Sequence, residues 1–342
     1  RERFAFLSQH IGDLDNFETY KFFLKTVDHM KRILEIEPEI IAYDMHPGYL
    51  STGWALEQEG IRLTGIQHHH AHIVSCMGEH RMDRKVIGVS FDGTGYGEDG
   101  NVWGGEFLMA DYSSYRRIAH FKYVPMPGGD AAVKEPYRMA LSHLREVFGD
   151  ELYSLDLDVL KRTGEKKVSI IMKMMERNIN TFRTSSCGRL FDAVSSLLGI
   201  KDVINYEGQA AIELEMIADT SVVGEYGFDI SDGEPFQVDV KELIYGVVKD
   251  LQNGVEPSGI SAKFHNTIAR IIGDVCILSR EITGIETVCL SGGVFQNFLL
   301  LKKTLSLLRD SGFSVFYHES VPPNDGGISL GQVLIANERA KY

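Results

Sequence analysis

The chain is poor in cysteine and in positive charge, and it has no long apolar run. Its four cysteines show no Cys-x-x-Cys spacing, which argues against a disulfide framework or a cysteine zinc site and fits a reducing cytoplasm. No apolar stretch approaches the roughly 20 residues of a membrane span, so we expect no membrane association. Basic residues number 35 against 48 acidic ones, a net charge of −13, which argues against a general nucleic-acid surface.

The remaining composition is that of an ordinary globular protein, with 44% hydrophobic and 24% charged residues. A length of 342 residues suffices for two domains or for one large two-lobed one. The opening Arg1-Glu-Arg-Phe-Ala-Phe-Leu-Ser8 resembles neither a signal peptide nor a natural start, so we expect a fragment of a longer protein.

Strand-like and helix-like patterns alternate along the chain, which predicts an α/β fold. The predicted strands are 40–44 (buried), 62–67, 85–92, 102–110, 287–291 and 313–317. The predicted helices are 16–36, 187–199, 261–283, 294–309 and 324 to about 340. A glycine-rich turn over 93–100 is expected to close a hairpin between the third and fourth strands.

The stretch Gln67-His-His-His-Ala-His72 places two imidazoles four residues apart. On a helix, His68 and His72 are neighbours on one face, as a metal requires of two neutral imidazoles. They fall opposite an apolar side, with His69 and His70 nearer to it. A histidine cluster on the surface is the alternative, and two histidines need carboxylates from elsewhere to complete a site.

Two strand–glycine turns are candidate phosphate or nucleotide sites. Asp92-Gly-Thr-Gly95 follows one strand, where backbone N–H groups can approach phosphate and the aspartate can hold a cation. Ser291-Gly-Gly-Val-Phe-Gln-Asn297 follows another; Gly292 and Gly293 would meet a nucleotide, and the amide of Asn297 would lie in the first helical turn. A tight hairpin and close strand–helix packing are the alternative interpretations.

Two further aspartates have both ordinary and functional interpretations. Asp192 lies off the apolar stripe of its helix, four residues after Gly188, where an exposed carboxylate would suit a ribose diol. A solvated helix acid is the more common outcome. Asp325 has the position of a helix N-cap, and it could also face a metal near the histidine helix.

Together these features resemble the two-lobed actin/Hsp70/sugar-kinase (ASKHA) architecture, with a nucleotide in the cleft between lobes. A histidine pair that binds metal belongs to the carbamoyl- and threonylcarbamoyl-transferring branch of that superfamily. Over nearly the whole chain, ordered motifs resemble the C-terminal TsaD-like domain of the hydrogenase maturation carbamoyltransferase family HypF. They are Gln67–His72, Phe91–Gly100, Trp103–Phe107, Pro125–Asp130, Glu135–Ala140, Ser186–Val194, Tyr206–Ala211, Ser291–Asn297 and Asn324–Gly331.

The resemblance implies a site and a reaction. Carbamoyladenylate, made from carbamoyl phosphate and ATP by a YrdC-like domain not visible here, would give its carbamoyl group to the C-terminal cysteine of the partner HypE. The cofactor would be a divalent metal (zinc, iron or magnesium), with no nucleic acid or membrane as partner. The implied metal ligands are His68, His72, Asp92 and Asp325, and the implied nucleotide contacts are Gly188, Asp192, Gly292, Gly293 and Asn297.

The resemblance also implies a domain division: 1–84 as the remainder of the first lobe without its opening strands, 85–323 as the second lobe, and 324–342 as a helix returning to the first lobe. Lys134 and Arg138 are candidate contacts to phosphate or the carbamoyl group. The chain's own Cys76 and Cys187 are expected as buried side chains rather than nucleophiles. The alternatives are a tRNA threonylcarbamoyladenosine synthase of the TsaD kind and a non-catalytic, nucleotide-gated docking module.

Overall fold

The structure, a computed structural model, describes residues 4–14 and 16–341. Eleven β-strands lie within these residues: β1 Ile40–Asp44, β2 Arg62–Ile66, β3 Val86–Tyr96, β4 Val102–Ala110, β5 Tyr115–Phe121, β6 Val124–Pro127, β7 Thr181–Thr184, β8 Asp229–Ile230, β9 Phe236–Asp239, β10 Thr287–Ser291 and β11 Ser314–Tyr317.

Thirteen α-helices lie within the same residues: α1 Phe17–Leu34, α2 Leu50–Leu56, α3 His68–Glu79, α4 Asp130–Lys134, α5 Tyr137–Phe148, α6 Asp158–Thr163, α7 Glu165–Glu176, α8 Cys187–Leu197, α9 Gln209–Met216, α10 Lys241–Gln252, α11 Pro257–Thr283, α12 Phe298–Asp310 and α13 Ile328–Arg339. In the described part of the chain, no helix is both long and apolar enough to cross a membrane.

The strands form two sheets. In the large sheet of nine strands, seven follow the order β11-β10-β3-β4-β5-β9-β8, and β7 pairs with both β4 and β6. Strands β3, β10 and β11 are parallel to one another, whereas β4 is antiparallel to β3. The small sheet is the parallel pair β1 and β2, with Ile40 opposite Arg62. Ser291, the last residue of β10, lies opposite Ser90 of β3, which brings the two predicted glycine turns together.

One core covers the large sheet and a second lies under α3. In the first, the buried rings of Phe91 on β3 and Phe107 on β4 meet edge to face at 5.3 Å, and α5, α8 and α11 pack around them. In the second, α13 packs directly on α3. The two helices approach so closely that a Cβ on Gly331 would lie 1.9 Å from the carbonyl oxygen of Ala71. This contact brings the last helix back to the histidine helix, as predicted.

Most predicted elements are present, and three predictions need correction. The hairpin turn does not begin at residue 93, because β3 continues to Tyr96 with an irregularity between Phe91 and Gly95. The helix predicted over 294–309 is a short 3-10 turn over Gly293–Gln296 followed by α12, which begins at Phe298. Strand β1, predicted as buried, is only half-buried except at its last residue. The division into 1–84, 85–323 and 324–342 stays a prediction.

Candidate metal centre

Helix α3 presents His68 and His72 from its first two turns. Its N-cap is Gln67, whose side-chain oxygen accepts a hydrogen bond from the backbone N–H of His70 at 2.8 Å. The ring centroids of His68 and His72 lie 5.0 Å apart. The surface interpretation is wrong, because α3 is enclosed by α13, β3, β4 and β10, and every residue from His68 to Met77 is buried. Two buried imidazoles on one helix face require polar partners.

Asp92 and Asp325 supply those partners. The Oδ2 atom of Asp92 lies 3.3 Å from Nε2 of His68 and 3.2 Å from Nε2 of His72. The Oδ1 atom of Asp325 lies 3.5 Å from both nitrogens. One ligand atom from each of the four residues lies within 4.8 Å of the others, so the structure brings the predicted metal ligands together. Asp325 is 61% exposed, which opens the cluster to solvent on that side.

The N-cap predicted for Asp325 belongs to its neighbour. The side-chain oxygen of Asn324 accepts from the N–H of Gly326 at 3.1 Å, where a short 3-10 turn leads into α13. Asp325 is therefore free to face the histidines. The prediction that Asp325 itself caps the helix is corrected, whereas its placement beside the histidine helix is confirmed.

Asp44, which the sequence reasoning missed, orients His68. Its Oδ2 lies 2.8 Å from Nδ1 of His68, and its Oδ1 accepts from the backbone N–H of His46 at 2.8 Å. Because an ionised carboxylate only accepts, Nδ1 of His68 carries the hydrogen and Nε2 turns toward Asp92 and Asp325. A carboxylate behind a ligating histidine is a common feature of metal sites. Its signal in the sequence was an aspartate at the carboxyl end of a strand.

Charge is balanced within the cluster. Burial opposes protonation of His68, but the carboxylates of Asp325 and Asp44 outweigh it and raise the pKa of His68 well above its ordinary value. Burial likewise opposes protonation of His72, yet Asp325 and Asp92 raise its pKa. Although burial alone would raise the pKa values of Asp92 and Asp325, the two histidines lower both. Two nitrogen and two oxygen donors with compensating charges fit a divalent cation.

The glycine turn after β10 closes on Asp92. The N–H of Gly293 donates to Oδ1 of Asp92 at 3.1 Å, so this carboxylate bridges the histidines and the turn. Gly292 has a φ of 103°, and a Cβ there would lie 2.1 Å from the carbonyl oxygen of Phe91. A Cβ on Gly293 would lie 2.9 Å from Asp92 itself. Both glycines are thus required for close approach of the turn to β3.

Helix α8 begins against the same strand. The hydroxyl of its N-cap, Ser186, accepts from the N–H of Arg189 at 3.0 Å and lies 3.0 Å from the carbonyl oxygen of Asp92. A Cβ on Gly188 would lie 2.9 Å from the Cα of Gly93. Gly188 therefore packs against Gly93, next to Asp92. Its role as a nucleotide contact stays a prediction.

Asp192 is not the exposed carboxylate that we expected. It is 1% exposed, because α8 is buried along its whole length. Its Oδ2 lies 2.9 Å from Nη2 of Arg189, and burial raises the pKa of Asp192 to about 6 despite that guanidinium. This ion pair does not count as a hydrogen bond for Oδ2 of Asp192, and Nε and Nη1 of Arg189 have no hydrogen-bond partner among the described residues. Buried polar atoms of this kind indicate a place where a ligand or water completes the bonding.

Asn297 also differs from the prediction, since it is the N-cap of α12 rather than a residue of its first turn. Its Oδ1 accepts from the N–H of Leu300 at 2.8 Å, and its Nδ2 lies 2.9 Å from Nε2 of His265. Both polar groups of the amide are occupied, and the residue is buried. Asn297 thus shapes the end of the glycine turn.

Glu207, in a motif to which the sequence reasoning assigned no role, faces the same strand. Its Oε1 lies 3.8 Å from the point where a Cβ on Gly93 would be. Burial, and then the charges of Asp92 and Asp325, raise the pKa of Glu207. The two candidate phosphate contacts differ from each other. Lys134 is exposed, whereas the guanidinium of Arg138 donates a hydrogen bond to the carboxylate of Glu135.

The other histidines of this region form hydrogen bonds away from the cluster, and the cysteines are buried. The Nε2 of His70 lies 2.7 Å from the carbonyl oxygen of Asp111, and that of His80 lies 2.8 Å from the carbonyl oxygen of Tyr317. Both rings are therefore hydrogen-bonded away from the four candidate ligands, and their role as bystanders stays a prediction. All four cysteines are free and buried, and burial raises the pKa of the Cys187 thiol well above its ordinary value.

Comparison with known proteins finds matches over nearly the whole chain. The family model described as "Carbamoyltransferase, Kae1-like Domain, second subdomain" matches residues 88–332, and the one described as "HypF Kae1-like domain" matches residues 1–79. Carbamoyltransferase HypF2 of Cupriavidus necator is 35% identical over 98% of this chain and 44% of its own length. Carbamoyltransferase HypF of Synechocystis sp. is 35% identical over 99% of this chain and 45% of its own length. The chain thus spans less than half the length of these curated relatives.

Two solved structures have the same fold. A crystal structure of full-length HypF in the phosphate- and nucleotide-bound form superposes with a TM-score of 0.93 at 44% identity, covering 98% of this chain and 52% of that one. The structure of T. kodakarensis HypF gives a TM-score of 0.85 at 32% identity, covering 97% and 45%. The predicted α/β class and the predicted resemblance are confirmed. The chain belongs to the HypF carbamoyltransferase family, within which it matches the Kae1-like domain.

Proposed function

We propose that this chain transfers a carbamoyl group from carbamoyladenylate to the C-terminal cysteine of the acceptor protein HypE, in the maturation of NiFe-hydrogenase. The observation that carries the proposal is the convergence of His68, His72, Asp92 and Asp325 within 4.8 Å, next to a glycine turn. Relatives that match nearly the whole chain are named carbamoyltransferases. We assign this chain to the transfer step, because the adenylate would be made from carbamoyl phosphate and ATP by a YrdC-like domain elsewhere in the full-length protein.

The four side chains would hold one divalent cation. Two imidazoles with two carboxylates favour a transition metal such as zinc or iron over magnesium, which prefers oxygen ligands. A cation held there neutralises phosphate charge and polarises the carbamoyl carbonyl. The exposed side of Asp325 gives the substrate a way to reach the centre.

The nucleotide would lie along the end of β3, between the α8 end and the turn after β10. Gly188, Gly292 and Gly293 would form its wall, because each packs so closely on β3 that a Cβ would clash there. Asp192, with the unsatisfied nitrogens of Arg189 beside it, would receive the ribose diol. Asn297 contributes to this wall through its cap, since its amide is already bonded.

The nucleophile would come from the acceptor protein. All four cysteines of this chain are buried, and burial keeps the Cys187 thiol protonated. The thiolate sulfur of the acceptor forms a bond to the carbamoyl carbon. The bond from that carbon to the phosphate oxygen breaks, and AMP leaves with the electron pair. We further propose that this takes place in the cytoplasm, in a cleft between the regions 1–84 and 85–323, with helix 324–342 closing onto the first.

The test supplies the purified, metal-loaded chain with synthetic carbamoyladenylate and HypE. Mass spectrometry of the C-terminal peptide of HypE should show a carbamoylated thiol. The modification should be absent with Asp325→Asn and with HypE that lacks its terminal cysteine. A full-length HypF is the positive control. If that protein transfers and the metal-loaded chain does not, the assignment of transfer to this part of the protein is wrong.

A further inference from the structure

The segment that carries Asp325 is held by the end of the histidine helix. Between β11 and α13, residues 318–324 form neither strand nor helix. The carboxylate of Glu79, the last residue of α3, accepts from the backbone N–H of Glu319 at 3.0 Å and of Val321 at 3.3 Å, and also from that of Ser320. One side chain thus fixes three consecutive peptide groups of the segment.

His318, at the start of this segment, joins Glu79 to the glycine turn. Its Nδ1 lies 3.1 Å from Oε2 of Glu79, and its Nε2 lies 2.8 Å from the hydroxyl of Ser291. Because the carboxylate only accepts, Nδ1 donates to Glu79 and Nε2 accepts from Ser291. The imidazole is 1% exposed, and burial lowers its pKa to about 4, so it is neutral in this role at ordinary pH.

Two backbone contacts complete the connection. Ser291 is the last residue of β10 and directly precedes Gly292, whose N–H donates to the carbonyl oxygen of Pro323 at 2.9 Å. On the far side of Asp325, the hydroxyl of Ser75 on α3 donates to the carbonyl oxygen of Gly327 at 2.8 Å. The segment is therefore tied to the histidine helix on both sides of Asp325 and to the glycine turn between them.

We propose that His318 is a positioning residue: it holds the Asp325 segment against the histidine helix and links that segment to the glycine turn after β10. This rests on the proposed function only in taking Asp325 as a metal ligand. A segment without regular structure has many conformations, and ordering it before the metal arrives avoids that entropic cost at the moment of binding. His318 is not one of the four candidate ligands, so we infer that it acts through the segment that carries Asp325 and through Gly292.

The test uses Co²⁺ as the probe and follows the visible spectrum of the bound ion. His318→Ala should bind Co²⁺ about tenfold more weakly than wild type, the lower end of the effect of removing support behind a ligand, and its spectrum should change. His318→Asn keeps a donor at the Nδ1 position and should recover most of the affinity. His318→Gln keeps only the Nε2 position and should resemble His318→Ala.

The matched control is His143→Ala, which removes another buried imidazole whose pKa burial lowers to about 4. Its Co²⁺ affinity and spectrum should equal those of wild type. If His318→Ala does not fold, Glu79→Gln removes the charge that holds the segment and should weaken Co²⁺ binding in the same way. If folded His318→Ala binds Co²⁺ with the affinity and spectrum of wild type, the proposal is overturned, but the proposed metal site is not. A wild type that binds no Co²⁺ would instead contradict the proposed metal site, and the proposal with it.

Discussion

The Nδ1 atom of His68 lies 2.8 Å from the Oδ2 atom of Asp44, and both side chains are buried. This contact fixes the tautomer and the direction of an imidazole that also faces two further carboxylates. Asp44 ends β1, whereas His68 begins the helix that follows β2. The small parallel sheet therefore aligns a carboxylate behind a candidate metal ligand.

Replacing Asp44 by alanine should weaken metal binding by about 10- to 100-fold, as is usual when the partner behind a ligating histidine is lost. Asp44→Asn keeps an acceptor oxygen and should have a smaller effect. Competition titration against a chromophoric zinc chelator measures both. Asp274→Asn, which alters an exposed ion pair with Arg270 on α11, is the control. Equal affinity of Asp44→Ala and wild type would mean that Asp44 does not support the site.

Metal affinity should rise with pH. In the metal-free protein the pKa values of His68 and His72 lie above the ordinary 6.5, so both rings hold protons that a metal must displace. Protonation of these rings stabilises the metal-free fold fully below pH 6.5, and that stabilisation is lost as pH rises through the raised pKa values. Affinity should thus increase from pH 6.5 upward, with proton release seen by calorimetry in two buffers. No proton release would contradict the charge assignment.

The buried carboxyl of Asp192 should make the fold less stable as pH rises from about 4 to 6. The native pKa is about 6 against an ordinary 3.8, so the unfolded chain loses the proton first, a difference of about 3 kcal/mol in the free energy of unfolding. Urea unfolding should show that the free energy of unfolding of wild type falls over this pH range relative to that of Asp192→Asn. Above pH 7 the gap between the two proteins should stay constant. Asp202→Asn is the control, because the pKa of Asp202 is lowered by its partners and titrates below this window. If the free energy of unfolding depends on pH in the same way in wild type and Asp192→Asn, burial does not raise the pKa of Asp192.

Gly95 should tolerate no side chain, because the histidines lie against it. A Cβ there would be 2.4 Å from Cε1 of His69 and 2.8 Å from Cδ2 of His68. Gly95→Ala should cost about 1–3 kcal/mol of stability through overpacking and should weaken metal binding by displacing His68. Gly53→Ala, in α2 with open space around its Cβ position, should be neutral or stabilising by up to about 1 kcal/mol. Thermal unfolding and metal titration of the two variants distinguish a local clash from a general effect of adding a methyl group.

Most elements could be predicted from the sequence because they depend on local patterns, whereas the set of four candidate ligands was implied by the family resemblance. Helical spacing placed His68 beside His72, and apolar runs placed β3 and β10. Burial was harder to predict, because it depends on what packs on the far side of an element. Asp192 looked exposed on its own helix, yet the large core encloses α8 completely.

Contacts between side chains far apart in the sequence could not be predicted either. Asp44 and His68 are separated by 24 residues, and His318 and Glu79 by 239, so only the folded chain reveals these contacts. The cap of α12 was missed for a local reason, since a 3-10 turn over Gly293–Gln296 displaced the helix start and turned Asn297 into its N-cap.

The central claim is that His68, His72, Asp92 and Asp325 hold one divalent metal. The most direct measurement is the metal content of the anaerobically purified protein, by plasma mass spectrometry, for wild type, His68→Ala and the bystander variant His70→Ala. We expect about one equivalent of a transition metal in wild type and in folded His70→Ala, and almost none in His68→Ala. Equal metal content in wild type and His68→Ala would contradict that claim.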